Sequence, residues 1–589
     1  MRNSRKTSIS AGAASPLQDL ISITIQAALG HFILWNCAIK GAKRFPTPFR
    51  FQGVFRRPWA AICLIGVLAF IAGASLTIFA GIPQPVIGDE SSYLLAADTF
   101  AQGRLTNPPH PLWKHFESLH VIQQPTYASK YPPAQGLALA FGQVFFGHPI
   151  VGVWLSAAAA CASIFWMLCG WVPVRWAWTG GLIAVVRIVL SGPYFIGASA
   201  SQAYWSQSYW GGAVAALGGA LVFGALPRIM KKQKPLDALW LAAGLAILAN
   251  SRPFEGLVVT LPVIAVLVAW CVRARDIGLQ TVLNRVLAPM LLVLLPTGLW
   301  MGFYNYRVTG DPLLPAYSVH ESTYQVAPPF LWMSLKPEPV CNHQALKELY
   351  ADWRRTRFLS LRSFHGLTVA SGHKILALWC FFVGVLFTPF FVKLRQMLRR
   401  RSVQFALGTW ALLVAAILSE AWSLPHYAAP ASSLAILLVV ESLRQARPAK
   451  WRGRRVGRFL VRATLPLLLV SALASFALGK YRDPPNWSQD RHKIECSLNQ
   501  SEGNHLVIVR YDPALLHPDE WIFNRADIDS AKGVWAREMD PRSNTKLIEY
   551  FKDRHIWLLE PDKVPRRLAP YTVESADPGP VRKQRLGEK

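Results

Sequence analysis

Charge, and acidic charge above all, is what this sequence has least of. Its 589 residues include 33 Asp and Glu against 62 Lys and Arg, and the four types make up only 16% of the chain, while 52% is hydrophobic. The surface of a soluble protein carries far more charge than that, so the composition excludes an ordinary soluble enzyme. Cysteine is sparse too. Of the 8 present, Cys37, Cys63, Cys161, Cys169, Cys271 and Cys380 lie in or beside apolar segments, where a free thiol packs as a small hydrophobe. Cys341 and Cys496 fall in polar regions and are candidates for one disulfide in an oxidising compartment. There is no Cys/His spacing suited to zinc, no P-loop and no Rossmann glycine pattern. No cleavable signal peptide is apparent, which leaves the first apolar span as an uncleaved anchor.

What the chain has in abundance is apolar runs of about 17–22 residues, long enough to cross a hydrocarbon core. The formal charge of +29 would suit nucleic acid. The Lys and Arg residues concentrate instead in short links between apolar runs, where they set topology, and nucleic acid is not an expected partner. Residues 1–58 form a basic cytoplasmic segment; within it 18–38, interrupted by Gln26, His31 and Asn36, reads as lying on the bilayer surface or fraying, with a true span as the less favoured alternative. The first span is 59–80. The run 134–147 is too short to cross and reads as re-entrant or interfacial. Further spans fall near 149–171, 178–199, 209–227, 236–250, 256–272, 286–304, 374–392, 403–420, 428–442 and 463–479. Counting 134–147 as non-spanning places Arg228–Lys234, Arg273–Arg285, Arg399–Arg401 and Arg444–Arg462 all on the cytoplasmic side. The expectation is an α-helical polytopic protein of about eleven transmembrane helices, N-terminus inside and C-terminus outside, with outer loops 81–148 and 305–373 within a membrane domain 59–480. Residues 481–589 change character. His505–Arg510 and His555–Leu559 read as strands and Thr545–Arg554 as an amphipathic helix, a small α/β domain outside the membrane.

With that topology the unusual polar residues collect on one side. Asp89 and Glu90 follow the first span and open an amphipathic helix running through Tyr93, Leu94 and Phe100, with Gly103 as its stop. On the same side lie Lys130-Tyr131-Pro132-Pro133, Tyr204-Trp205-Ser206, Arg252 and Glu255, Tyr306-Arg307, Asp311, Glu420 and His426-Tyr427. The plain reading of Asp89 and Glu90 is helix capping; that of the others is loop ion pairs and snorkelling side chains. Ionisable groups at a membrane boundary are nonetheless costly unless paired or lining a wet cavity, and one outward-facing cavity accounts for them together. Such a cavity suits group transfer from a lipid phosphate. Asp89 supplies a base for an acceptor hydroxyl. Arg252 and Lys130, with Tyr131, Glu255, His426 and Tyr427 around them, supply the surroundings of a phosphate. A divalent metal ion is the other way to meet phosphate charge, with Asp89 and Glu90 as candidate ligands. Arg187, inside a span, reads as a buried, partnered arginine.

The order of these features resembles the GT-C membrane glycosyltransferases: a first span, Asp-Glu opening a long outer loop, then Pro-Pro before a short apolar run ending Phe145-Phe146-Gly147. The likeness, over roughly 59–440, is to the branch holding protein mannosyltransferases, lipid A aminoarabinose transferases and RgtA/B/C/D-like proteins. It implies that Asp89 sits at a catalytic centre with Glu90 supporting it. It also implies a polyprenyl-phosphate-linked sugar as donor, inversion at the sugar carbon, and a bacterial inner membrane. Several relatives carry Lys-Pro-Pro, whereas here Tyr131 separates Lys130 from the prolines. Asn305–Pro312 and Pro425-His426-Tyr427 resemble motifs without an assigned role. A transporter or flippase of a lipid-linked glycan would use the same cavity without covalent chemistry, although neither paired halves nor broken midplane helices are evident. A scaffold binding envelope partners through 481–589 is the third expectation.

Overall fold

The computed structural model describes residues 58–191, 204–273, 278–450, 452–482, 486–512 and 519–572. The basic N-terminal segment, including 18–38, and the end of the expected span 178–199 lie outside them. Among the described residues nine helices are long and apolar enough to cross a membrane, so this is a multi-pass membrane protein. Two expected spans fall short of that standard. Pro235–Ala249 is apolar but has 15 residues, and Val174–Ala184 continues only as a π-helical turn to Leu190. The expected span 374–392 is also shifted. The helix begins at Phe364 and runs to Val383, where Gly384, at φ 84°, breaks it into a 3-10 segment, Val385–Lys393, that contains Pro389. A left-handed glycine and a proline without an N–H are a sufficient cause.

The first span, α1 (Pro58–Ala80), is apolar on every side and half-clothed by its neighbours, as befits a lipid-facing helix. Two shorter helices follow, α2 (Gly88–Ala101) and α3 (Pro133–Phe146). The 14 residues of α3 reach about 21 Å, too little for a bilayer core of roughly 30 Å. Gly147, left-handed at φ 78°, ends α3; the His148 ring then accepts the Ile150 amide, and Pro149 starts α4 (Pro149–Trp171). The two helices fold back on each other with backbone in contact: a Cβ on Gly142 would stand 2.3 Å from the Gly152 nitrogen. The other side of α3 shows Phe141, Val144, Phe145 and Phe146 to the surroundings, the apolar edge expected of an interfacial helix.

Glycine also sets the packing at the centre of the bundle. A Cβ on Gly219, in the helix Gly212–Lys232, would meet the Pro430 carbonyl oxygen at 1.8 Å, whereas around Gly298 there is nothing within 4 Å. Replacing a helical glycine by alanine normally gains about 1 kcal/mol. Gly219→Ala is expected to reverse that sign by overpacking, at about 1–3 kcal/mol, and Gly298→Ala to keep it. Thermal midpoints of the two purified variants check the contrast.

The last part of the chain forms the small α/β unit. Ahead of it, two short strands, β1 (Val121–Ile122) and β2 (Ala128–Ser129), pair as a hairpin between α2 and α3. The C-terminal sheet holds β3 (Asn504–Val509), β4 (Gly533–Arg537), β5 (Arg554–Leu559) and β6 (Leu568–Pro570) in the order β4-β3-β5-β6. β3 runs parallel to both neighbours, and β6 is antiparallel to β5. The helix between β4 and β5 spans Pro541–Tyr550, capped by Asp540, so the expected helix start was four residues late and its end overran into β5. β3 is apolar on both faces because both are covered. Val507 and Val509 pack with Trp521, Trp535 and the helix Trp487–Gln500. Leu506 and Ile508 share one core with Leu547 and Phe551 and also with Leu95, Phe116, Val121 and Tyr127 of the first loop. Cys341 and Cys496 are both free thiols, contrary to the expected disulfide: Cys496 is exposed on the helix Trp487–Gln500 with its sulfur 3.6 Å from His492, and Cys341 is partly buried elsewhere.

Candidate active site

The Asp-Glu pair divides its work. Glu90 is buried, and both its oxygens are taken by main-chain amides: Oε2 accepts from Val86 at 2.9 Å and Ile87 at 3.4 Å, and Oε1 from Tyr209 at 2.9 Å. It therefore ends the turn before α2 and ties it to residue 209, the capping role in full. Burial pushes its carboxyl up to about 7 despite those amides. Asp89, one residue earlier, is turned into the polar loops. The Tyr131 hydroxyl donates to its Oδ1, and His120 Nε2 stands 3.5 Å from its Oδ2.

The β1–β2 hairpin holds these partners. Ser92 Oγ, on α2, donates to the His120 carbonyl at 2.6 Å and shares a hydrogen bond with Ser129 Oγ at 2.7 Å. The Tyr131 ring stacks on Tyr93 with centroids 4.5 Å apart. Between them Lys130 is 4% exposed, its Nζ 5.3 Å from the Tyr131 ring centre and 4.9 Å from that of Tyr317. Burial and the nearby Arg354 guanidinium push its amine down to about 8, against the pull of Glu321 and Asp89. No carboxylate oxygen forms an ion pair with it among the described residues.

A break between two membrane helices brings in the second cation. Asn250–Arg252 separates Pro235–Ala249 from Pro253–Arg273, and the Asn250 carbonyl accepts the Ala134 amide at 3.0 Å, fastening the break to the start of α3. The Arg252 guanidinium lies 4.2 Å from the Tyr427 ring centre and 3.7 Å from Glu255. Glu420 is held by a β-bridge to Phe330; burial and the charge of Glu255 push its carboxyl up. His426 Nδ1 meets the Tyr204 hydroxyl at 2.5 Å. Arg354 lies over the rings of Tyr350 and Trp422, 4.9 Å from each centre.

Asp89 thus exerts its charge on Lys130, Tyr131, His426 and Tyr427, and Arg252 and Glu255 exert theirs on Tyr427 and Glu420. Tyr306, Arg307 and Asp311 do not join them. Gly310 is left-handed at φ 87°, its amide bonds the Tyr306 carbonyl, and Asp311 Oδ1 accepts the Leu313 amide, so Asn305–Pro312 is a helix terminator. Arg187 caps the carbonyls of Cys380 and Phe381 where the helix breaks before Gly384. A metal held jointly by Asp89 and Glu90 would have to share the Glu90 oxygens with three main-chain amides, and among the described residues no three His, Cys, Asp or Glu side chains gather as a ligand set. Sequence reasoning noted His120 in the first outer loop without giving it a role and passed over Tyr317, His320, Tyr350 and Arg354. His120 sits in a turn before β1, and the other four come from loop helices whose only sequence signal is polarity.

No family model matches this chain, and none of the curated proteins does. Among solved structures, ArnT from Cupriavidus metallidurans in the apo state is similar at 14% identity over 84% of this chain and 92% of that one, TM-score 0.44. The Archaeoglobus fulgidus oligosaccharyltransferase in complex with Zn and sulfate is similar at 11% identity over 84% of this chain and 67% of that one, TM-score 0.45. The same enzyme tethered to an acceptor peptide is similar at 12% identity, over 78% of this chain and 62% of that one, TM-score 0.40.

Proposed function

We propose that this protein is a membrane glycosyltransferase that moves a sugar from a polyprenyl-phosphate-linked donor to an acceptor hydroxyl on the loop side of a bacterial inner membrane. The observation that carries the reading is one carboxylate, Asp89, held by Tyr131 and His120 within the electrostatic influence of buried Lys130, a cation that makes no carboxylate ion pair among the described residues. Asp89 removes the proton from the acceptor hydroxyl as its oxygen attacks the anomeric carbon. The bond from that carbon to the phosphate oxygen breaks, the electron pair leaves with the oxygen, and configuration inverts. The polyprenyl phosphate gains one negative charge, which Lys130, Arg252 and Arg354 offset in a site sheltered from water. Glu90 shapes the turn that aims Asp89. Tyr131 holds Asp89, Tyr427 lies under the Arg252 guanidinium, His426 is fixed by Tyr204, and Glu255 pairs with Arg252.

The test compares envelope lipids and glycans by mass spectrometry in cells with and without the protein. Transfer predicts a glycan lacking one sugar and an accumulated lipid-linked sugar in the cells without it. A complete lipid-linked glycan stranded on the cytoplasmic leaflet would replace this reading with a flippase, and identical profiles would remove both.

A further inference from the structure

The C-terminal sheet reaches the candidate site through two buried charges that the mechanism above does not use. Glu520 and Arg537, each almost wholly buried, form an ion pair at 2.5 Å. Neither points into its own domain's core alone. Glu520 Oε2 also accepts the Leu119 amide at 3.2 Å, and Arg537 Nε donates to the Glu117 carbonyl at 2.9 Å. The main-chain carbonyl of the same Arg537 meets His115 Nδ1 at 2.9 Å. These bonds fasten the stretch 115–119, which leads directly into His120.

His120 is the residue most in need of fastening. Its φ is +63°, a left-handed conformation that a side-chain-bearing residue keeps only when its surroundings hold it there. Its own amide donates to the Tyr350 hydroxyl at 3.1 Å, and its carbonyl accepts from Ser92 Oγ and from the Lys130 amide. The result of that conformation is a ring whose Nε2 faces Asp89 Oδ2 while its Nδ1 faces the Tyr350 hydroxyl at 3.4 Å. Tyr131 fixes one oxygen of the carboxylate; His120 is the group beside the other. Burial, with Lys130 and Arg354 nearby, holds the ring's pKa well below the usual histidine range, so a neutral imidazole stands beside Asp89.

We propose that the Glu520–Arg537 pair makes the C-terminal domain a working part of the catalytic centre: it sets the turn at 117–120 and thereby holds His120 against Asp89, with Arg537 and Glu520 as positioning residues. This rests on the reading of Asp89 as the base. A domain that merely packed on the loops would need only the apolar core shared by Leu506, Ile508, Leu95 and Phe116. A buried ion pair adds little to stability compared with apolar side chains of the same size, so its placement on this one turn asks for another explanation.

The experiment uses the full chain in lipid nanodiscs, with hydrogen exchange read by mass spectrometry and transfer read as the sugar-bearing glycan formed in cells at equal membrane abundance. Arg537→Met, which keeps bulk and removes the donors, is expected to raise exchange at the Leu119 and His120 amides at least tenfold while the helix Gly212–Lys232 stays protected, and to lower transfer at least tenfold. Combined with His120→Gln, it is expected to lower transfer no further, because both changes act on the same contact. Unchanged exchange at Leu119 and His120 overturns the proposal, and so does a loss that adds in full to that of His120→Gln. If Arg537→Met unfolds the sheet, Glu520→Gln, which keeps an acceptor, takes its place with the same two criteria. A changed exchange pattern in a protein whose wild type transfers nothing would leave the positioning intact and remove the glycosyl-transfer reading instead.

Discussion

Asp89→Asn is expected to lower transfer by about 10²–10⁴-fold, the usual contribution of a positioned general base, or about 3–5 kcal/mol on the barrier. The substitution is close to isosteric. Asparagine keeps an oxygen for the Tyr131 hydroxyl and places its amide beside His120, so the fold and the donor site are retained while the base is lost. The loss therefore falls on kcat and leaves the KM for donor nearly unchanged. Glu90→Gln supplies the contrast. Glutamine cannot accept from Tyr209 on one side and from Val86 and Ile87 on the other, and each buried amide left without a partner costs about 1–3 kcal/mol. That variant is expected to lose thermal midpoint first and activity only as a consequence. Envelope-glycan mass spectrometry beside thermal unfolding of both variants checks the division; equal transfer by Asp89→Asn and wild type at equal membrane abundance would remove Asp89 from the chemistry.

Lys130→Met is expected to weaken donor binding by about 10–100-fold, since hydrogen bonds to a charged group contribute about 1.5–3 kcal/mol and among the described residues no other cation contacts the Tyr131 and Tyr317 rings. The pH dependence carries the same information in the wild type. With its amine pushed down to about 8, Lys130 is a cation at pH 7 and loses its charge as pH rises through that value. A bound phosphate restores the charge, so the loss appears in kcat/KM, which reports the free enzyme, and not in kcat. The expected profile of kcat/KM falls about tenfold per pH unit above about 8. Lys130→Arg, whose guanidinium stays charged there, is expected to remove that alkaline limb. A limb that persists in the arginine variant would assign it to another group.

Sequence alone located the membrane helices well, because an apolar run of sufficient length has few other uses and the basic links between runs agree on one side. It erred where backbone chemistry overrides hydropathy: the apolar stretch after Gly384 continues in composition, but glycine and Pro389 end the helix. The Asp-Glu pair was legible as a pair and illegible as a division of labour. Which carboxylate faces the loops depends on Tyr209, 119 residues away. His120, Tyr350 and Arg354 show why half the site was hidden. Each is an ordinary polar residue, in a turn or a short outer helix, and only the tertiary fold brings their charge or hydrogen bonds to the surroundings of Asp89 and Lys130. The disulfide expectation failed for the same reason, since two polar-region cysteines say nothing about distance.

The core shared between the first loop and the last sheet also has a consequence in time. Leu95, Phe116, Val121 and Tyr127 emerge from the ribosome some 400 residues before Leu506, Ile508 and Phe551 that cover them. At about 5–20 residues per second of synthesis that is a wait of roughly 20–80 s. Throughout it the helix that carries Asp89 waits beside the membrane with one apolar side bare and the turn before His120 unfastened. The contacts around Asp89 are completed only when the end of the chain arrives, so a ribosome that stalls before β3 leaves an inserted bundle whose first outer loop lacks its cover.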